Sequence, residues 1–129
     1  MHGGPLMTPK QIVDLLDRLE CLKHGCDLDL LLFFYRHPWA LLISERLAAY
    51  VGHDLPQVTR SLETLITAGL LQRSRDSTRP ARLYVLTRGS PLGGSLSSLL
   101  RIAATPEGRL AVIHALKQRT TPSDPGQSR

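Results

Sequence analysis

Covalent staples, a bilayer-spanning run and a phosphate-cradling loop are all missing from this 129-residue sequence. Two cysteines, Cys21 and Cys26, are too few for a disulfide-built secreted scaffold. No charged stretch followed by an apolar one opens the chain, so a cytoplasmic location is expected. No apolar run approaches the roughly 18 residues that a membrane span requires. The densest one, Leu28 to Tyr35, is broken by Asp29 and closed by Arg36, His37 and Pro38. Aromatic rings number only six, and Gly93-Gly94 lacks the G-x-x-x-x-G-K pattern of a nucleotide loop. The acids are scattered or sit where helix caps belong, and no Ser/His/acid set shares a local frame. Neither catalysis nor a cofactor is expected.

An apolar fraction of 42% is enough for one core, and the chain reads as one domain over residues 1–119 with a disordered tail at 120–129. The net charge of +5 is unevenly spread. Residues 1–29 hold three bases against five acids, and residues 30–129 hold thirteen bases against six acids. Between Gln72 and Ser90 there are five arginines and one acid, Asp76. Such clustering is the electrostatic footprint of a polyanion partner, or else a solvated surface.

Helical periodicity begins at Thr8-Pro9 and runs through Ile12, Leu15, Leu16 and Leu19, so a flanking helix over 8–24 ending at Gly25 is predicted. Asp27 then sits as the cap of a second helix, apolar nearly all round, which belongs in the middle of the fold and stops at His37-Pro38. An extended piece, Ala40 to Ile43, leads to Ser44 as the next cap. The helix Glu45–Val51 ends at Gly52, and another starts after Asp54, with Gln57 three positions on and Gly69 as its stop. From Leu70 the period becomes strand-like, and Ala81–Thr87 supplies a second strand, giving a hairpin with a basic tip at 76–80. Arg88–Ser95 reads as a flexible connection to two further helices ending at 119.

The stretch Ser44-Glu45-Arg46-Leu47-Ala48, then Val58-Thr59-Arg60-Ser61-Leu62, Ala68-Gly69-Leu70-Leu71 and Arg82-Leu83-Tyr84-Val85-Leu86-Thr87 resembles the winged helix-turn-helix regulators of the MarR and ArsR types. The resemblance covers about half the chain. It implies an α+β fold, mainly helical with a small β-hairpin wing, a core over about 27–88 and flanking helices at 8–24 and 96–119. It also implies a recognition helix at 54–68 in the major groove of double-stranded DNA, and a basic wing at 72–82 on the backbone or minor groove. The residue chemistry points the same way. With Val58, Leu62 and Leu65 turned inward, Gln57, Thr59, Arg60, Ser61 and Thr64 fall on or beside the outward face, as side chains suited to base edges and phosphates. Arg73, Arg75, Arg79 and Arg82 would supply the wing and phosphate contacts.

Each feature has a plainer alternative. Gln57 also suits a capping box, Arg60 a surface pairing with Glu63 or Thr64, and Arg73, Arg75 and Arg82 the wet face of a small sheet. The apolar stripes of the terminal helices either build a homodimer, as the resemblance implies, or fold back on their own chain. Cys21, His24 and Cys26 do not form a common zinc spacing, and no metal is expected; nothing nearby visibly lowers a thiol pKa. A transcriptional regulator, with or without a small-molecule effector, is the leading expectation. A winged helix that docks a protein instead of DNA is the rival.

Overall fold

The computed structural model describes residues 9–38, 40–74, 82–87 and 91–120. Of the disordered tail expected at 120–129, Thr120 instead ends the last helix and residues 121–129 lie outside the described ones, as do the cap at Thr8, the hairpin tip at 76–80 and the connection at 88–90. The described residues form helices α1 (Pro9–Arg18), α2 (Gly25–Arg36), α3 (Ser44–Val51), α4 (Leu55–Thr67), α5 (Pro91–Ala103) and α6 (Pro106–Thr120), and strands β1 (Leu41–Leu42), β2 (Leu71–Arg73) and β3 (Arg82–Leu86). The fold is thus mostly helical with a small antiparallel sheet. No helix among these residues is long and apolar enough to cross a membrane.

α1 is shorter than predicted. It ends at Arg18, and the chain descends through turns in which Leu19 N–H donates to Leu16 O at 3.0 Å and Leu22 N–H to Leu19 O at 2.9 Å. Leu19 and Leu22 are both buried, so the apolar spacing continues past the end of the helix and mimics more of it. Gly25 opens α2 instead of closing α1. Asp27 is therefore not its cap but its third residue. From there its buried carboxylate reaches back to accept the N–H groups of Lys23 and His24, at 3.0 and 3.1 Å, satisfying donors that the helix start leaves free.

α2 occupies the middle, as its all-round apolarity predicts. It packs on α3, α4, α5 and β3 and buries Leu28, Leu30, Leu31 and Phe34, with the Phe34 ring 5.0 Å from that of Tyr84 on β3. α3 starts at Ser44 itself, one residue earlier than expected, and stops at Gly52, whose φ of 76° suits glycine. After a three-residue turn, Asp54 caps α4 by accepting Gln57 N–H at 2.8 Å, and Pro56 falls in the first turn, where its missing donor is harmless. α4 closes with a left-handed Gly69: Gly69 N–H donates to Ile66 O and Leu70 N–H to Leu65 O, both at 3.0 Å. This pair of bonds, with Leu65 and Leu70 both buried, is a Schellman stop.

β2 and β3 pair antiparallel in the register Leu71 to Leu86, Gln72 to Val85 and Arg73 to Tyr84. The extended piece before α3 adds a third strand on the far side of β3, matching Leu41 to Leu83 and Leu42 to Arg82. Tyr84 is buried, and its hydroxyl bonds with Ser44 of α3 and Arg73 of β2, so one side chain ties the sheet to the start of α3.

One expectation for the C-terminal part is corrected. α5 begins at Pro91, so Gly93 and Gly94 lie inside a helix and not in a loose connection. Of the two alternatives for the terminal stripes, most of their residues fold back on their own chain. Leu96, Leu99, Leu100, Ala103 and Leu116 are buried in one core with Ile12, Leu15 and Leu16, because α1 packs against both α5 and α6. Leu110 stays exposed. Thr105 caps α6 through its hydroxyl, which accepts Gly108 N–H at 3.0 Å. A Cβ at Gly108 would stand 1.8 Å from Ile102 O, so only glycine lets α6 cross the end of α5 this closely.

Candidate nucleic-acid interface

The outward side of α4 presents fewer free side chains than its sequence predicts. Thr59, Arg60 and Thr64 are exposed and Gln57 is half-buried. Ser61 is buried, at 1% exposure, and is corrected: it faces α2, where its hydroxyl bonds with the Cys26 thiol. The helical turn sets this outcome, because Ser61 lies three residues after Val58 and four before Leu65, on the inward stripe. Ser61 is a hinge point between core and surface, since its Oγ also accepts Gln57 Nε2 at 3.0 Å.

The remaining groups are linked along the helix. Gln57 Oε1 accepts Arg60 Nη2 at 3.2 Å, and Thr64 donates its hydroxyl to Arg60 O at 3.0 Å. Only half of the predicted capping box forms, because the Gln57 side chain runs toward Ser61 and Arg60 and not back to the cap. Arg73 donates to Glu63 Oε2 at 3.1 Å and also bonds with the Tyr84 hydroxyl. Arg82 is half-buried on β3, opposite Leu42. Arg75 and Arg79 lie outside the described residues. Exposed pairs such as Arg73 with Glu63 are worth under about 1 kcal/mol, so they yield readily to a phosphate.

Beside α4 runs a groove of about 640 Å³. Glu20, Lys23 and His24, from the connection between α1 and α2, form one wall, and Gln57, Arg60 and Thr64 form the other. No sequence signal identified this second wall, since its residues come from a stretch read as helix. The groove carries side chains of both charges, Glu20 and Glu63 with Lys23 and Arg60. A separate cleft of about 660 Å³ is bounded by Phe34 and Tyr35 of α2, Val85 and Leu86 of β3, and Ser97 and Leu100 of α5. Its lining is mainly apolar.

The thiols are poor nucleophiles. Burial pushes the Cys21 thiol up, aided by the Asp27 charge; burial does the same at Cys26 and outweighs the hydrogen bond from Ser61. Among the described residues, no group of three or more His, Cys, Asp or Glu side chains is placed to hold a metal ion. Comparison of the chain with models of protein families, with curated proteins and with solved structures gives no match.

Proposed function

We propose that this chain is a sequence-specific double-stranded DNA-binding protein of the winged helix-turn-helix kind, working as a transcriptional regulator and as a homodimer. The observation that carries the reading is the order of elements around α4. Helix α3, a three-residue turn with Gly52 left-handed, helix α4 and then the β2–β3 hairpin follow one another without interruption, and β1 flanks the hairpin. A helix-turn-helix of this kind docks its second helix in the major groove, and a hairpin directly after it is placed to touch the adjoining backbone. Thr59, Arg60 and Thr64 stand exposed on that second helix, and the arginines between Gln72 and Ser90 give the hairpin its charge. A two-fold dimer would set two such helices about 34 Å apart, one duplex turn. The dimer contact would run through the terminal helices, where Leu110 of α6 is left exposed.

Titration with genomic DNA fragments at two salt concentrations tests the reading. Binding that weakens steeply with salt is expected, and the absence of any salt-sensitive binding at low ionic strength would overturn it. Given a selected site, Arg60→Ala should weaken binding by about 1–3 kcal/mol and relax the preference at one position. An unchanged site profile removes Arg60 from the reading set.

One observation favours protein docking as a second reading. The groove along α4 carries Glu20 and Glu63 as well as Lys23 and Arg60, and Arg73 is already paired with Glu63. Such mixed charge suits a peptide partner better than a run of phosphates, and the same salt titration separates the two.

A further inference from the structure

One arginine of the hairpin is held by two partners of different character. Arg73 of β2 stands opposite Tyr84 of β3, so the two side chains leave the same face of the sheet, and the guanidinium bonds with the Tyr84 hydroxyl. That hydroxyl also bonds with Ser44 at the start of α3, and Tyr84 is buried, at 2% exposure. The second partner comes from α4, which packs on β2: Arg73 Nη1 donates to Glu63 Oε2 at 3.1 Å. The Glu63 side chain is 57% exposed and that of Arg73 40%. Tyr84 is therefore the fixed partner of the guanidinium, and the Glu63 carboxylate is the one that can leave.

Glu63 also lies on the face of α4 that a duplex would meet, four residues after Thr59 and three after Arg60, all of them exposed. A lone carboxylate on that face would repel phosphate; paired with Arg73, it cancels a positive charge of the hairpin instead. To a guanidinium, a carboxylate and a phosphate offer the same kind of anionic oxygen.

We propose that Arg73, set in place by Tyr84, is a site for a DNA backbone phosphate, and that Glu63 is its built-in surrogate ligand, displaced when a duplex docks. This rests on the DNA-binding reading above and adds to it a residue that restrains the binding. The exchange replaces one charge-assisted hydrogen bond by another, so it gains little by itself. Its ion balance is distinctive. Arg73 moving onto a phosphate releases a condensed cation from the duplex, and the freed Glu63 carboxylate takes one up in its place. In the parent chain the contact thus adds almost nothing to the salt dependence. With residue 63 neutral, the cation is released without return. Glu63 is in this way a brake on indiscriminate binding, because a duplex of any sequence must displace it.

The test follows binding of a random-sequence duplex by fluorescence anisotropy, from about 50 to about 200 mM salt, for the parent, Glu63→Gln, Arg73→Gln and the double variant. At low salt Glu63→Gln should bind at least about threefold more tightly than the parent, and its slope of log K against log salt should be steeper by about 0.9. In the Arg73→Gln background the same substitution should leave the slope unchanged. An equal change of slope in both backgrounds overturns the proposal, since Glu63 would then be a general repeller of phosphate; no change in either overturns it too. Both of those results leave the DNA-binding reading standing. If none of the four proteins shows salt-sensitive binding, that reading itself fails and this inference falls with it.

Discussion

Ser61 shows how much one position on a helix can mislead. Its hydroxyl is suited to a phosphate or a base, yet it points at Cys26 and holds Gln57 from below. Ser61→Ala should therefore lower stability by about 1 kcal/mol, read from a denaturant midpoint, and leave any DNA sequence preference intact. A change of preference with unchanged stability would return Ser61 to the reading face. Asp29 carries a pH signature of a different kind. Burial pushes its carboxyl up, but the hydrogen bonds from Arg109 and His53 outweigh this and hold it below the ordinary carboxylate range. The folded state thus binds its proton less readily than the unfolded chain. Its stabilisation is fully present above about pH 3.9, the unfolded value, and is lost as pH falls through the lower folded value. In Asp29→Asn that share of the acid sensitivity should disappear; denaturation midpoints followed downward from neutral pH would show it, and an identical acid slope in both proteins would refute it.

At the scale of elements, the helix stops are set locally and the strand partners are not. Gly52 and Gly69 have φ values of 76° and 80°, a region where a Cβ is strained. Gly69→Ala should cost about 1–2 kcal/mol. Gly94 has ordinary helical geometry in α5, and a Cβ there meets nothing within 4 Å, so Gly94→Ala should stabilise the chain by up to about 1 kcal/mol. Thermal unfolding of the two variants side by side should move in opposite directions, and a shared direction would contradict the assignment of Gly94 to a helix interior. The double glycine is also why the start of α5 was not legible: its local preference opposes the helix, and burial of Leu96, Leu99 and Leu100 against α1 and α2 overrides it. The two residues of β1 carried too little pattern to assign a partner, since their pairing with β3 depends on a strand forty residues away.

On the scale of the whole molecule, the terminal helices are part of the same core as the central helix. Leu99→Ala should cost about 2–5 kcal/mol, and the loss should not depend on protein concentration. A loss that vanishes in concentrated solution would instead place Leu99 at a contact between copies. Local chemistry in the chain was sufficient for the Asp54 cap and the left-handed stops at Gly52 and Gly69, because each depends on residues within a turn or two of one another. Packing settled what spacing left open: that Leu19 and Leu22 are buried outside any helix, that Ser61 turns inward while Thr64 does not, and that the terminal stripes close on their own chain. It also brought Asp29, His53 and Arg109 together across eighty residues. The physical reason is the same in each case: a cap or a glycine stop is decided by the backbone groups beside it, whereas burial and ion pairing are decided by whichever surface the folded chain brings alongside.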